Sequence, residues 1–277
     1  MLLPSWLCLV INLDRSPARL DRISGQLNAA GIPFERFAAV DGLRIDPDAT
    51  PLFSRRGYER RHGKAPTPCE IGCFLSHIGA MKRFLQSDAP FCLILEDDAI
   101  IGADLASVLN GLSGLAGEWN IALLYGNYPG VPQMVARVDN GHELAGFLAR
   151  QTGAVAYALD RKAATVYTRD LLPMTLPIDV DFDRAWDLDI RFRGVVPFPV
   201  ATGDHVSDIG PIGRKFRWYR RLGTYARRGI GELKRYRHYA VTDPIWLISW
   251  RYRIRQSMAK LAAEFFAYMH PLRSRRP

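Results

Sequence analysis

The sequence has little cysteine and no long hydrophobic run. Only four of its 277 residues are cysteine, which is too few for a disulfide framework in a chain of this size. Cys8 and Cys92 lie in apolar runs, and Cys69 and Cys73 lack the paired spacing of a zinc knuckle. We therefore expect reduced cysteines and a reducing compartment. No stretch reaches the roughly 18 apolar residues that a membrane-spanning helix needs.

The sequence also lacks the marks of targeting segments and repeats. Its N-terminus, MLLPSWLCLVINLDRS, is apolar but has no basic region and no small-residue cleavage site. We expect this segment to form a core strand rather than a signal peptide. The composition, 48% hydrophobic and 23% charged, is ordinary for a folded globular protein.

Positive charge is concentrated in the C-terminal quarter of the chain. Residues 214–277 contain 17 Lys and Arg against 3 acids, whereas the preceding 213 residues contain 20 against 25. The overall net charge of +9 therefore describes the partners of the C-terminal segment rather than those of the whole fold. We predict a globular domain over residues 1–213 and a basic tail over residues 214–277.

Strand and helix patterns alternate along the first 130 residues. Three apolar runs predict strands: SWLCLVINL, FERFAAVDG and FCLILEDD. Apolar residues at helical spacing predict helices over residues 14–31 and about 69–86, whereas residues 43–68 predict a long loop. This alternation predicts an α/β fold with a mostly parallel sheet that helices cover on both faces. Ligands of such sheets bind beyond the carboxyl ends of the strands.

Three consecutive acids end the third predicted strand. Because side chains alternate along a strand, we expect Glu96 and Asp98 on one face and Asp97 on the other. Neighbouring carboxylates repel each other unless a cation compensates their charge. Oxygen ligands at this density suit Mg²⁺ or Mn²⁺. The position of the acids favours a metal site over a solvated acidic turn.

Six motifs in one order carry a resemblance to a known family. They are INLDRSPAR (11–19), AAVDG (38–42), EIGCFLSHIGAMKRF (70–84), LILEDDAII (93–101), TGAVAYALDRKAA (152–164) and LPIDVDF (176–182). Together they resemble glycosyltransferase family 25, whose members include bacterial lipooligosaccharide β-1,4-galactosyltransferases and collagen galactosyltransferases. The resemblance covers roughly residues 5–210.

The resemblance implies a GT-A-like, Rossmann-like fold, a nucleotide-sugar donor, a divalent cation and inversion at the anomeric carbon. By this resemblance, Asp98 binds Mn²⁺ or Mg²⁺ directly. Glu96 or Asp97 contacts the donor ribose or reaches the metal through water. His205, in GDHVSD, is a candidate further metal ligand, because GT-A enzymes often use a histidine near the end of the domain.

Further candidates for donor binding lie at the first two strand ends. Asn12, Arg15 and Arg19 lie at the first strand–helix junction, where amides and a helix N-terminus can bind phosphate. The two arginines, one helical turn apart, fit a solvated helix face equally well. Asp41 resembles a ribose or base contact, with a turn residue as the alternative.

Two further segments supply site candidates. Glu70, Ser76 and His77 come from the helix segment that resembles the family, although a lone helical histidine is more often structural. An inverting transfer needs a general base, usually Asp or Glu. The resemblance indicates Asp179 in LPIDVDFD, with Asp181 in reserve. If that segment is extended, both carboxylates face one way together with that of Asp183.

The basic tail contains an amphipathic pattern rich in aromatic residues. Asp243-Pro244 predicts a helix start, and apolar residues then recur at helical spacing at Trp246, Trp250, Ile254, Met258, Leu261 and Phe265. Such a helix suits an anionic lipid surface. The alternatives are a helix packed on the core and, with no recognition motif present, a nucleic-acid contact that we do not expect.

These observations predict an inverting, metal-dependent glycosyltransferase. We expect it to transfer a hexose, galactose in particular, from a UDP-sugar to a lipooligosaccharide, a lipopolysaccharide or another glycan. We also expect it in the cytoplasm, peripheral on the cytoplasmic face of the inner membrane. The alternative is a non-catalytic membrane- or glycan-binding protein on a degenerate transferase fold. A second enzymatic alternative is metal-dependent phosphoryl chemistry. It would need a phosphate-cradling glycine-rich loop or an aspartyl nucleophile motif, and the sequence contains neither.

Overall fold

The computed structural model describes residues 6–127, 130–147, 149–203 and 216–242. By its internal contacts the chain divides into two compact units, residues 1–232 and 233–277. The predicted boundary after residue 213 stays a prediction, because residues 204–215 lie outside these ranges. Among the described helices, none has both the length and the apolar character needed to cross a bilayer.

The described ranges contain ten strands and eight α-helices. The strands are β1 (Trp6–Asn12), β2 (Glu35–Ala38), β3 (Phe91–Glu96), β4 (Ala99–Ile101), β5 (Ile121–Leu123), β6 (Pro132–Arg137), β7 (Glu143–Phe147), β8 (Ala156–Asp160), β9 (Phe192–Val196) and β10 (Val200–Thr202). The helices are α1 (Pro17–Ala29), α2 (Arg55–His62), α3 (Pro68–Leu85), α4 (Leu105–Gly114), α5 (Arg161–Asp170), α6 (Ile178–Phe182), α7 (Ala185–Leu188) and α8 (Leu222–Thr242). Short 3₁₀ helices lie at Gly42–Arg44 and Trp218–Arg221.

Eight of the strands form one mixed sheet in the order β2-β1-β3-β8-β5-β9-β7-β6. Strand β1 pairs in parallel with β2 and β3, and β5 pairs in parallel with β9. The remaining pairs of this sheet are antiparallel. The predicted α/β class is thus confirmed. Because β2, β1 and β3 run parallel, their carboxyl ends meet at one edge of the sheet.

Helices cover both faces of the sheet, as the alternation of strands and helices predicts. On one face, Leu9 and Ile94 pack with Phe74 and Ile78 of α3. On the other face, the alternate strand residues pack against helices α1 and α4. The strand residues include Val10, Leu93 and Leu95. The helix residues include Ile23, Leu27, Val108 and Leu109. This period of two in buried strands places neighbouring residues at a strand end against different helices.

Local signals fix the start of α3. The Thr67 hydroxyl accepts a hydrogen bond from the Glu70 amide, and the Glu70 carboxylate accepts one from the Thr67 amide. This reciprocal capping box, with Pro68 in the first turn, satisfies amides that no helical carbonyl can reach. The helix observed over Pro68–Leu85 confirms the one predicted over about 69–86.

The prediction of a long loop over residues 43–68 is wrong. This stretch contains the eight-residue helix α2. Its start is capped by Ser54, whose hydroxyl accepts from the Gly57 amide, and its end by Gly63 at φ 75°. Only Tyr58 and His62 of the helix are buried. Two buried residues in eight give too weak an apolar period to reveal a helix.

An extended LPIDVDFD segment is also contradicted. Residues Ile178–Phe182 form helix α6, so the acids do not alternate along a strand. Pro177 precedes the first turn, where its fixed φ suits a helix start, and Asp179 and Asp181 occupy that turn, where carboxylates are favoured. The carboxylates of this segment therefore have different surroundings.

The last described part of the first unit packs against α2. The Thr224 hydroxyl donates to the Arg60 carbonyl at 3.1 Å, and the Arg228 guanidinium donates to the His62 carbonyl at 3.2 Å. These bonds satisfy carbonyls in the last turn of α2. The amphipathic helix predicted after Asp243 lies outside the described residues.

Candidate active site

A cleft of about 100 Å³ opens at the carboxyl ends of β1, β2 and β3. Its walls include Arg15 and Arg19 from the β1–α1 junction, Cys73 and His77 from α3, and the three acids that follow β3. An adjoining cavity of about 390 Å³ shares Leu13, Arg15, Ala39 and Val40 with it, and Asp41 and Arg44 also line that cavity. The structure thus brings together the strand-end residues predicted to meet there.

Asp97 points toward α1 and is held by β1 and α1. Its carboxylate accepts from the Asn12 amide at 2.7 Å and from Arg19 at 3.3 Å. Asn12 is itself fixed, because its side-chain oxygen accepts from Arg36 at 3.0 Å. Only 8% of Asp97 is exposed. The buried Asn12 and Asp97 and the half-buried Arg19 therefore form one network at the edge of the cleft.

Glu96 points to the opposite side of the sheet, toward α3. Its Oε1 lies 3.0 Å from Nε2 of His77, whose Nδ1 lies 2.8 Å from the Tyr157 hydroxyl. In a neutral imidazole, Nε2–H donates to Glu96 and Nδ1 accepts from Tyr157, so both nitrogens are satisfied. Cys73 lies one helical turn before His77, with its sulfur 4.0 Å from the same Glu96 oxygen. This chain of contacts fixes the carboxylate at the cleft wall.

Asp98 carries the unsatisfied charge of the cluster. Its Oδ1 is buried and has no hydrogen-bond partner among the described residues. Burial raises the pKa of Asp98 to about 6, and the neighbouring Glu96 and Asp97 carboxylates add to the shift. A buried carboxylate oxygen without a donor is costly unless a cation or a proton compensates it.

These residues fit a divalent cation. The orphaned Asp98 oxygen and the adjacent Glu96 carboxylate supply hard oxygen donors. Among the described residues, Cys73, His77 and Glu96 also place one ligand atom each within 4.8 Å of one another. Because the two ring nitrogens of His77 already contact Glu96 and Tyr157, His77 orients the carboxylate rather than binding the ion. The predicted ligand His205 lies outside the described residues.

Arg15 and Asp41 form an ion pair between the cleft and the adjoining cavity. The Arg15 guanidinium lies 2.6 Å from the Asp41 carboxylate. The hydrogen bond from Arg15 holds the pKa of Asp41 below its usual value, helped by the Leu43 amide. Arg44 lies 3.8 Å from the same carboxylate. Arg15 therefore lines both cavities, whereas Asp41 lines the larger one.

The remaining predicted residues of α3 have structural contacts, one at the start of the helix and one with the end of β2. Glu70 Oε2 accepts from the amide and the hydroxyl of Thr67 at 3.0 and 2.9 Å, so it caps the helix. The Ser76 hydroxyl accepts from the Val40 amide at 2.8 Å and donates to the Gly72 carbonyl. Ser76 therefore ties the end of β2 to α3 at the cleft wall.

The two candidate bases differ sharply in their surroundings. Asp179 accepts from the amides of Val180 at 2.9 Å and Gly153 at 3.3 Å, and burial raises its pKa. The nearby Glu96 adds to that rise, which places Asp179 within electrostatic reach of the cleft. Asp181 is 1% exposed and is paired with Arg184 at 2.5 Å. Asp181 thus serves an ion pair.

Sequence reasoning missed two contributors to the site. Cys73 precedes His77 by four residues in the motif EIGCFLSH, so their shared helix face was readable from the sequence. Tyr157 gave no local signal, because it reaches His77 from β8, a strand 80 residues away in the chain. Only the pairing of β8 beside β3 brings it there.

The segment of the chain that forms the cleft matches a known family. Residues 7–126 match the family described as glycosyltransferase family 25 (LPS biosynthesis protein). The matched segment contains every strand end and helix that lines the cleft. The resemblance seen in the first four motifs is thereby confirmed.

Three relatives illustrate how far the similarity extends. A glycosyltransferase 25 family member of Drosophila pseudoobscura pseudoobscura is 40% identical over 93 residues, 32% of this chain and 15% of that protein. The lipooligosaccharide biosynthesis protein lic2B of Haemophilus influenzae is 31% identical over 93 residues, 34% of each chain. Procollagen galactosyltransferase 2 of Homo sapiens is 33% identical over 93 residues, 32% of this chain and 15% of that protein. The chain therefore spans a minor part of the length of each relative.

Proposed function

We propose that this chain, whose residues 7–126 match glycosyltransferase family 25, is an inverting, metal-dependent glycosyltransferase of GT-A type. Its substrates are a UDP-hexose, UDP-galactose in particular, and a lipooligosaccharide, a lipopolysaccharide or another glycan. The observation that carries the proposal is the orphaned carboxylate oxygen of Asp98 in a cleft that also presents Arg15 and Arg19. That combination suits a cation together with a diphosphate.

The two adjoining cavities suit the two parts of a nucleotide-sugar. The larger cavity, about 390 Å³, has room for a nucleoside, and Asp41 on its wall is a hydroxyl acceptor for a ribose. The arginines at the β1–α1 junction face the smaller cleft, where they would neutralise a diphosphate. Because Arg15 lines both cavities and is paired with Asp41, it would contact the donor at the point where the nucleoside meets its phosphates.

Asp98, with Glu96 beside it, would hold the metal ion. When bound, Mn²⁺ or Mg²⁺ would neutralise the charge that develops on the departing diphosphate. His77 and Tyr157 keep the Glu96 carboxylate oriented through the bonds described above. Asn12 and Arg19 hold Asp97 on the other side of the strand. These contacts thus fix Glu96 and Asp97 on opposite sides of the strand and leave the Asp98 oxygen available to the ion.

Asp179 is the best-placed candidate for the general base. Two main-chain amides fix its carboxylate, and burial raises its pKa. A raised pKa makes a carboxylate a stronger base toward an acceptor hydroxyl. In the proposed step this oxygen takes the hydroxyl proton as the acceptor oxygen attacks the anomeric carbon and the bond to the diphosphate breaks.

The test is a transfer assay with a panel of UDP-sugars, Mn²⁺ and glycan acceptors. We expect turnover with a UDP-hexose and its loss in Asp98→Asn, with the fold retained. Asp88→Asn is the matched control, because Asp88 is an exposed acid just before the opposite end of β3. Full activity of Asp98→Asn would refute the metal assignment. UDP binding without turnover of any donor would instead favour a binding protein on a transferase fold.

A further inference from the structure

A separate cavity, of about 450 Å³, lies in the first unit apart from the cleft and its adjoining cavity. We call it the second cavity. Segment 150–152, helices α6 and α7 and the first half of α8 form most of its wall, with Arg61 from α2. The volume is large enough for one or two sugar rings. The roles proposed above for the donor and the metal leave this cavity unassigned.

The cavity is rich in guanidinium groups. Arg61, Arg150, Arg184, Arg227 and Arg228 line it against the carboxylates of Asp183, Asp187 and Glu232. Among the described residues, with the buried Asp181 behind Arg184 counted as well, one positive charge remains in surplus.

Three of these arginines, Arg61, Arg227 and Arg228, have no carboxylate partner within the described ranges; Arg61 donates to the Thr175 hydroxyl. Arg227 donates to the carbonyls of Arg60 and Gly223, and Arg228 donates to that of His62. Burial and the nearby Arg150 and Arg221 lower the pKa of Arg228. An anion that entered the cavity would relieve this repulsion between like charges.

An aromatic side chain stands beside these charges. Trp186 lines the cavity, and the Arg150 guanidinium lies 5.7 Å from its ring centroid. Aromatic faces offer apolar contact area to the C–H groups of a sugar ring, whereas guanidiniums bind phosphate or carboxylate oxygens in pairs. The combination suits an anionic sugar better than a free anion or a neutral glycan.

Asp179 links this cavity to the cleft. Its chain neighbour Val180 lines the second cavity, as does Thr152, which precedes the Gly153 amide that donates to the Asp179 carboxylate. Glu96 of the cleft contributes to the raised pKa of the same carboxylate. The candidate base therefore adjoins wall residues of the second cavity and lies within electrostatic reach of the cleft, as suits a group between donor and acceptor.

We infer that this second cavity binds the acceptor glycan through an anionic substituent, a phosphate or a carboxylate, on a sugar that packs against Trp186. The inference rests on the proposed function, which supplies the need for an acceptor. It adds a substrate class, since it requires an acceptor that carries negative charge near the reacting hydroxyl.

Calorimetric titration of the full chain tests the inference with four probes: glucose 6-phosphate, glucuronate, glucose and inorganic phosphate. We expect one of the two charged sugars to bind at least tenfold more tightly than glucose and than phosphate, because both the charge and the ring contribute. The preferred charged sugar identifies the substituent. Equal binding of glucose, or of phosphate alone, would overturn the inference.

Glycine substitutions on α8 locate the binding with a matched control. A Cβ at Gly231 would lie 3.4 Å from Arg150 Nη2 and 3.9 Å from Trp186, so Gly231→Leu fills the cavity. A Cβ at Gly229 would meet nothing within 4 Å, and this glycine is exposed, so Gly229→Leu changes the same helix without entering the cavity. We expect at least tenfold weaker binding of the charged sugar in Gly231→Leu and unchanged binding in Gly229→Leu.

Neutralising the arginines separates charge from shape. We expect Arg228→Gln to lose at least tenfold in affinity for the charged sugar while its affinity for glucose is unchanged. Arg220→Gln, at an exposed arginine, is the control. Titration of UDP with Mn²⁺ into each variant keeps the two proposals apart. If Gly231→Leu and Arg228→Gln lose sugar binding but retain UDP binding, the second cavity is the sugar site. If both variants bind the charged sugar as wild type does, this inference is overturned and the proposed function is not affected.

Discussion

At the residue scale, adjacent acids acquire different roles because a strand end divides them between two faces. Glu96 meets His77 on α3, and Asp97 meets Asn12 and Arg19 near α1. Asp98 follows the last residue of β3 and keeps an orphaned oxygen. The predicted opposition of Glu96 and Asp97 follows from the alternation of a strand. The partners of each acid depend on helices that the local sequence does not specify.

The contrast between the two candidate bases gives a prediction at this scale. We expect Asp179→Asn to lower kcat by about 10²–10⁴-fold while UDP binding is retained, because only proton transfer is removed. Asp181→Asn should instead lower the free energy of unfolding by about 1–3 kcal/mol, because it removes the buried carboxylate that Arg184 binds and leaves that half-buried guanidinium paired with Asp187 alone. Steady-state kinetics and urea unfolding measure the two effects. The opposite pattern would make Asp181 the base.

The pH profile of the wild-type enzyme checks the same assignment. A general base must be deprotonated, so activity should fall as the pH decreases through the pKa of Asp179. Because burial raises that pKa above 3.8, the ordinary value for Asp, the acidic limb should lie at a higher pH than an exposed carboxylate would give. An acidic limb that is unchanged in the residual activity of Asp179→Asn would argue against Asp179.

At the element scale, close packing of α3 against the end of β2 shapes the cleft. A Cβ at Gly72 would lie 2.6 Å from the Gly42 amide nitrogen and 2.7 Å from the Val40 carbonyl oxygen. Both contacts are with main chain, which cannot move aside as a side chain would. Gly72 thus lets α3 approach closely enough for the Ser76 hydroxyl to bind the Val40 amide.

We therefore expect Gly72→Ala to separate these elements. It should lower the free energy of unfolding by about 1–3 kcal/mol through overpacking and weaken UDP binding, because Val40 lines both cavities. Gly25→Ala is the control on α1, where a Cβ meets nothing within 4 Å. That change should raise stability by about 0.5–1 kcal/mol. Equal stability of the two variants in urea unfolding would contradict the packing argument.

At the scale of the whole molecule, a buried histidine couples global stability to pH. His62 is 7% exposed, packs 5.1 Å from the Tyr58 ring between centroids, and has no partner for either ring nitrogen among the described residues. Burial lowers its pKa to about 4, and the charges of Lys64, Arg228 and Arg221 contribute. The unfolded state therefore binds more protons than the folded state between about pH 4 and pH 6.5, the ordinary histidine value.

Stability should accordingly fall as the pH decreases through this window. The loss attributable to His62 approaches about 3 kcal/mol below pH 4, since each pKa unit corresponds to about 1.4 kcal/mol. His62→Phe keeps the packing against Tyr58 and removes this titration. We expect the unfolding free energy of wild type to fall relative to that of the variant as the pH decreases from 7 to 4. A difference that stays constant with pH would contradict the assignment.

The prediction of a membrane-binding basic tail stays open at this scale. Residues 243–277, which carry the predicted amphipathic helix, lie outside the described ranges. The structure describes residues 216–242 of the segment, and those up to Glu232 belong to the first compact unit. Cytoplasmic location on a membrane face therefore remains a prediction from the cysteine usage and the charge distribution.

The sequence by itself determined the α/β class, the first three strands, helix α3 and the acids at the edge of the sheet. These features follow from short-range periodicity and from the rule that parallel strands end together. It misjudged α2 and α6, because short helices depend on caps and on a few buried contacts. Only the tertiary structure decided that Tyr157 meets His77, that Asp98 Oδ1 lacks a partner among the described residues, and that arginines from distant segments surround Trp186. Those contacts join residues far apart in the chain, and their geometry depends on how the elements pack rather than on any local pattern.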